Sequence, residues 1–184
     1  MVDLLELQKH FILAHLHEGD VAVDFTMGNG HDTAFLSRTV GPNGSVTAFD
    51  IQPKAIVSTE ATLRAQGCPP NYRLICASHH RAPEFIHTPI KAGMFNLGYM
   101  PGSGNKALTT MRTTTLPAVE NAVGMLGRDA ILLVAVYPGH EEGAAEGEEL
   151  ARYFATLSRY KMTVGQFRLL NSPTSPYFFI CETK

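Results

Sequence analysis

"VDFTMGNGHDTAFL", residues 23–36, places a glycine, an asparagine and a second glycine just after a short apolar run. The pattern then changes at once to helical spacing. Glycines so placed let a backbone turn sharply or let another group approach it closely. Strand, glycine turn and helix in that order form the opening unit of a parallel α/β sheet. The stretch therefore decides the fold class and raises the question of what comes close to Gly28 and Gly30.

On either side the chain continues the same alternation. "DVAVDF" is the strand before the turn, and "HDTAFLSRTV" is a helix ended by "GPNG". Upstream, Asp3 can cap a helix whose Leu4, Leu7, Phe11 and Leu16 keep roughly helical spacing until Gly19 ends it. Downstream, "SVTAFDI" is a second strand, and Pro53 opens a helix running to Gly67. "YRLICA" and "KAGMFNLG" are the third and fourth strands, separated by a short irregular or helical stretch. Residues 109–126 read as a helix that Pro117 must kink or truly begin.

"AILLVAVY" is the most apolar strand, as expected for the sheet centre. A helix around "GEELARYFATL" leads to "MTVGQFRLL" and "SPYFFICET". The link "NSPTSP" is too short for a helical crossover, so these last two strands should be antiparallel. Seven strands with helices between the first six predict a doubly wound α/β sandwich. Residues 1–184 read as one domain, with the N-terminal helix, about 3–17, packed on the core and no separate RNA-binding module.

Composition narrows the functional classes. The 184 residues are 45% hydrophobic and 17% charged with net charge −2, so no global basic field advertises nucleic acid. The N-terminal segment mixes acids and histidines with leucines, unlike a signal peptide. No apolar run approaches the roughly 20 residues needed to span a bilayer. Cys68, Cys76 and Cys181 are odd in number and far apart, with no CxxC, which fits a reducing cytoplasm.

In an open α/β sheet a ligand sits beyond the carboxyl ends of the strands, near the switch point beside the first strand. Gly28 and Gly30 lie there, ahead of an amide-rich helix start. Asp50 closes the second strand, where an acid can bind a ribose hydroxyl pair. Together these predict an adenosine-type cofactor; the competing reading is a tight turn with no ligand. The run G-N-G-H-D-T lacks the third glycine of a nicotinamide fingerprint, and no G-K-[ST] follows for a P-loop. Asp24, four residues before Gly28, suits S-adenosylmethionine, a ligand with cationic sulfonium and ammonium groups and no pyrophosphate.

"FNLGYMPGS", residues 95–103, ends the fourth strand and faces the same crevice. Enzymes of class I methyltransferase type that methylate exocyclic amines carry (Asn/Asp)-Pro-Pro-(Tyr/Phe) here, and Asn96-Leu97-Gly98-Tyr99 resembles it without the prolines. An Asn oxygen and a backbone carbonyl can accept hydrogen bonds from an amine and aim its lone pair. Tyr99 can stack on a planar base. The alternative is an asparagine in a turn with an aromatic lid.

The loop lacks the cysteine that pyrimidine C5 methylation would need. His79, His80 and His140 could border the crevice, with His80 or His140 as substrate orienter or proton acceptor, or each could be a surface-loop residue. His31 would cap or pack at the helix start. No H-x-x-x-H or H-E-x-x-H spacing supports zinc. Lys106 and Arg112, in the hydroxyl-rich stretch 105–117, could hold phosphates or begin a solvated helix.

"DFTMGNGHDTAFL", "AFDIQ", "FNLGYMPGS", "TTTLPAVENAVGML" and "VYPGHEEG" together resemble the small bacterial S-adenosylmethionine methyltransferases long labelled rRNA methylases. The resemblance runs from about residue 20 to the C-terminus. It implies a Rossmann-like class I methyltransferase fold: a seven-stranded, mostly parallel sheet with an antiparallel C-terminal strand and helices on both faces. It implies methylation of 5-aminomethyl-2-thiouridine at the tRNA wobble position, with the anticodon region of tRNA as partner, and a homodimer is the expected assembly.

Carried over, the cofactor turn falls on Asp24, Thr26, Gly28, Asn29, Gly30, His31, Asp32 and Thr33. Asp50 and Gln52 match the ribose-binding strand end. Asn96 and Tyr99 match the reaction loop, with Leu97 and Gly98 on its cofactor side. Phe25 departs from the small residue usual at its position and would tighten the strand packing. The remaining alternatives are an rRNA or small-molecule amine N-methyltransferase, a non-catalytic adenosine-ligand binding protein, and an NAD-dependent oxidoreductase.

Overall fold

A computed structural model of the chain describes residues 3–97, 112–139 and 141–184. Its centre is a seven-stranded sheet of order β3-β2-β1-β4-β5-β7-β6. The strands are β1 Val21–Asp24, β2 Ser45–Asp50, β3 Tyr72–Cys76, β4 Ile90–Asn96, β5 Leu126–Val136, β6 Met162–Phe167 and β7 Tyr177–Thr183. The pairs among β1 to β5 are parallel, whereas β7 runs antiparallel to both β5 and β6, between which it lies. The most apolar strand, β5, is flanked on both sides, and Ala130 through Val136 are fully buried. The middle place in the order belongs to its neighbour β4.

The helices are α1 Leu4–His15, α2 His31–Val40, α3 Pro53–Ala65, α4 Arg112–Met125 and α5 Glu141–Ala155, with a 3₁₀ turn over His79–Glu84. Period-two alternation in the strands sends side chains to two faces. Ala22, Val46, Ala92, Met94 and Ile131 pack under α1 and α2, while Ala55 of α3 packs with Ala48 on the same side. Val23, Phe49, Phe95, Leu132 and Val134 pack under the 3₁₀ turn, α4 and α5. Pro117 lies inside α4 rather than at its start. His15 ties α1 to the sheet, with Nδ1 3.1 Å from Asp129 Oδ1 and Nε2 3.1 Å from Glu182 Oε1.

Phe25 stacks on Phe95 with ring centroids 4.3 Å apart and a 2° interplanar angle, and on Phe49 at 6.2 Å. Gly93 makes the room: a Cβ there would lie 3.0 Å from the Phe25 ring and 2.7 Å from Leu132. Two aromatic neighbours and one missing side chain thus accommodate the large residue, and the strand packing is tight as expected.

Candidate active site

The strand order reverses between β1 and β4, which opens a crevice at their carboxyl ends. Past Asp24 the chain stays tied to both neighbours: Phe25 N–H donates to Met94 O and Met27 N–H to Phe49 O, each at 2.9 Å. The glycine turn follows. Gly28 and Gly30 have φ of +51° and +81°, the left-handed region that side chains disfavour.

The two glycines serve different neighbours. A Cβ on Gly30 would lie 2.8 Å from Cα of Thr59, so the close approach there is by α3. A Cβ on Gly28 would meet only the Thr26 carbonyl at 3.8 Å. Gly28 therefore faces open space. Three hydroxyls of α3 hold the turn from behind: Ser58 donates to Asn29 Oδ1 at 3.0 Å, Thr59 to Gly28 O at 3.3 Å, and Thr62 to Asn29 O at 2.7 Å. Sequence reading missed them, although the 58, 59, 62 spacing puts all three on one helical face.

Asp24 is 1% exposed and both its oxygens are engaged inside the chain. Thr26 N–H donates to Oδ1 at 3.0 Å, and the Thr33 hydroxyl to Oδ2 at 2.6 Å. Burial, reinforced by the charge of Asp32, pushes its carboxyl up to about 7. Asp24 is the internal anchor of the turn. Asp50 accepts from Gly28 N–H at 3.1 Å and from Gln52 N–H at 2.9 Å, and it keeps lone pairs for a further donor. Gln52 Oε1 is buried without a partner among the described residues.

Asn96, at the end of β4, is held at two points. Its main-chain N–H donates to the Thr26 hydroxyl at 2.7 Å, across the switch point. Its side-chain Nδ2 donates to Asp32 Oδ2 in the first turn of α2. Its Oδ1 is buried and has no partner among the described residues. Burial raises the Asp32 carboxyl, against which Lys9, the Asn96 hydrogen bond and His31 act. Leu97, almost fully buried, continues the strand by donating to Ala135 O at 3.0 Å.

The two adjacent histidines part company. His79 is 9% exposed, with Nδ1 3.3 Å from Phe25 O and its ring edge-on to Phe95. Burial lowers it to about 4, so it is neutral near pH 7, and its Nε2 is unpartnered among the described residues. His80, the sequence candidate, is exposed and its Nδ1 pairs with Ser78 Oγ at 2.8 Å. His31 is exposed at the start of α2. Gly98, Tyr99, Lys106, His140 and the Arg112 side chain lie outside the described residues. Among the described residues no three His, Cys, Asp or Glu side chains converge as metal ligands, and no helix is long and apolar enough to cross a membrane.

Comparison with known proteins places this geometry in a lineage. A family model described as "Putative rRNA methylase" matches residues 46–183. A chloroplastic tRNA (mnm(5)s(2)U34)-methyltransferase of Arabidopsis thaliana is 34% identical over 171 residues, 88% of this chain. The match spans 62% of that relative's length. The crystal structure of a "putative rRNA-methylase" from Clostridium thermocellum has TM-score 0.95 at 34% identity, covering 100% of this chain and 99% of that one. A "putative methyltransferase" from Streptococcus mutans, solved in complex with SAH, has TM-score 0.89 at 30% identity, covering 100% and 99%.

Proposed function

The chain belongs to the family described as "Putative rRNA methylase" and is a methyltransferase with that family's fold; on that premise we propose that it is an S-adenosylmethionine-dependent N-methyltransferase acting on tRNA. The acceptor is the aminomethyl group of the wobble uridine, taken from 5-aminomethyl-2-thiouridine to 5-methylaminomethyl-2-thiouridine. The observation that carries the reading is Asn96 Oδ1, buried beside the glycine turn and without a partner among the described residues. The wobble-uridine substrate draws its support from the Arabidopsis relative at 34% identity. Residues 1–184 form, in this reading, one methyltransferase domain.

The residues fit the cofactor. Gly28 offers open space, Asp50 is already oriented by two amides, and Gln52 Oε1 lacks a donor among the described residues. The turn from Gly28 to His31 would hold the amino-acid end, and Asp50 with Gln52 the ribose hydroxyls. When bound, S-adenosylmethionine supplies an electrophilic methyl group on a sulfonium. Asn96 Oδ1 accepts an N–H of the acceptor amine and so aims its lone pair along the crevice. Only the neutral amine can attack, and an aliphatic amine of lysine type, with pKa about 10.4, is mostly protonated in water. Burial next to a cation favours the neutral form. Tyr99 stacks near the uracil in this reading, with His80 or His140 flanking the entrance.

The test uses purified protein, S-adenosylmethionine and bulk tRNA from cells lacking the gene, with digested nucleosides compared by mass. The expected result is one methyl gained on 5-aminomethyl-2-thiouridine. Asn96→Ala should lower turnover about a hundredfold while S-adenosylhomocysteine affinity holds. No gain on any tRNA nucleoside, with the cofactor still bound, would overturn the tRNA assignment.

A further inference from the structure

We propose that Asp32 is a positioning residue for the acceptor amine: it holds the Asn96 amide in the one orientation that offers Oδ1 to the substrate, rather than serving as a ligand of the cofactor. The inference rests on the amine N-methyltransferase reading and adds a role to a residue that the family resemblance puts among the cofactor contacts.

An asparagine amide has two chemically opposite ends of nearly equal shape, one accepting and one donating hydrogen bonds. An amine whose lone pair must point at the methyl group can offer the protein only N–H donors. Oδ1 facing it makes a hydrogen bond, whereas Nδ2 facing it sets donor against donor. Something must therefore choose between two orientations half a turn apart. Asp32 Oδ2 takes the hydrogen bond from Asn96 Nδ2, and this places Nδ2 on the Asp32 side and leaves Oδ1 for the other.

The choice is fixed by the fold. The main-chain N–H of Asn96 is pinned by the Thr26 hydroxyl, and Thr26 N–H is pinned by Asp24, which Thr33 also holds. Adjacent residues of one helical turn, Asp32 and Thr33, thus grip the carboxyl ends of β4 and β1. The geometry commits the Asp32 oxygen that faces β4 to Asn96. The charged groups acting on Asp32 from other elements are Lys9 and Glu6 of α1, with His31 on its own helix; Asp24 lies beside it on β1.

The experiment compares Asp32→Ala and Asp32→Asn with the unmodified chain. Three quantities are read: turnover on undermodified tRNA, S-adenosylhomocysteine affinity by calorimetry, and the Asn96 side-chain amide ¹⁵N–¹H resonance, assigned by its loss in Asn96→Ala. Asp32→Ala should lower kcat about tenfold to a hundredfold. Its S-adenosylhomocysteine affinity should stay within about threefold, and the Asn96 amide signal should move. Asp32→Asn, whose amide can accept from Nδ2 or donate to Oδ1, no longer dictates the orientation and should recover only part of the turnover. Should Asp32→Ala not fold, Asp32→Ser takes its place, since its hydroxyl is too short to reach. A loss of S-adenosylhomocysteine affinity matching the loss of turnover would make Asp32 a cofactor ligand and overturn the proposal. An unmoved amide signal in Asp32→Ala, or an Asp32→Asn with full turnover, would overturn it as well. The resonance needs no acceptor, so it still decides the role of Asp32 if the unmodified chain methylates no tRNA.

Discussion

At the scale of single residues, Gly28 and Gly30 carry the same identity and the same sign of φ, yet they answer to different neighbours. An alanine in the left-handed region costs about 1–2 kcal/mol through its Cβ alone. Gly28→Ala should lose about that much stability in urea denaturation. The same substitution should abolish S-adenosylhomocysteine binding, because its methyl fills the space assigned to the ligand. Gly30→Ala should lose more, about 3 kcal/mol, since its Cβ also collides with the Thr59 backbone. Equal losses for the two would contradict the division of labour. The need for glycine at both positions was legible in the sequence, but the reason at Gly30 was not, because Thr59 is distant in the chain and reaches the turn only through the packing of α3 on α2.

At the scale of elements, the ends of α2 were legible residue for residue, because Gly30 and Gly41 both take positive φ and bracket the helix. The inward role of α3 was not. Hydrophobic periodicity counts serine and threonine as neutral, yet Ser58, Thr59 and Thr62 are the hydroxyls that hold the glycine turn. Each such hydrogen bond is worth about 1 kcal/mol. The double variant Ser58→Ala/Thr62→Val should therefore lose about 2 kcal/mol in denaturant unfolding. Loosening the turn lowers the fraction of molecules ready to bind, so S-adenosylhomocysteine affinity should weaken about three- to tenfold while saturated turnover holds. A fall in saturated turnover with affinity intact would mean that α3 acts on the acceptor side. The histidines show another limit of pattern reading: one step of a 3₁₀ turn buries His79 and exposes His80, and adjacent identical residues carry no signal for which is which.

At the scale of the whole molecule, two buried groups oppose each other across acid pH. Asp24, pushed up to about 7 from 3.8, keeps a proton in the folded chain that the unfolded chain releases, so its contribution falls as pH rises between these values. His79, lowered to about 4 from 6.5, stays neutral in the folded chain while the unfolded chain takes up a proton, so its contribution falls as pH drops from 6.5 towards 4. Between pH about 4 and about 6.5 the two proton counts offset. Asp24→Asn should therefore leave stability rising with pH in that window, and His79→Gln should leave it falling, each by at most about 1.4 kcal/mol per pH unit. Urea titrations at several pH values would show it; parallel profiles for both variants would mean that neither group holds its shifted proton state. The strand count and the antiparallel end were legible from the apolar runs and the short "NSPTSP" link. The order that puts β4 in the middle was not, because pairing between distant strands is set by packing. The antiparallel end has a consequence for biosynthesis. Because β7 lies between β5 and β6, a chain emerging from the ribosome has made β6 before any strand exists to receive it. Until Tyr177–Thr183 emerges, β5 presents a bare edge to the cell and β6 has no partner to pair with. One late insertion then satisfies both strands at once.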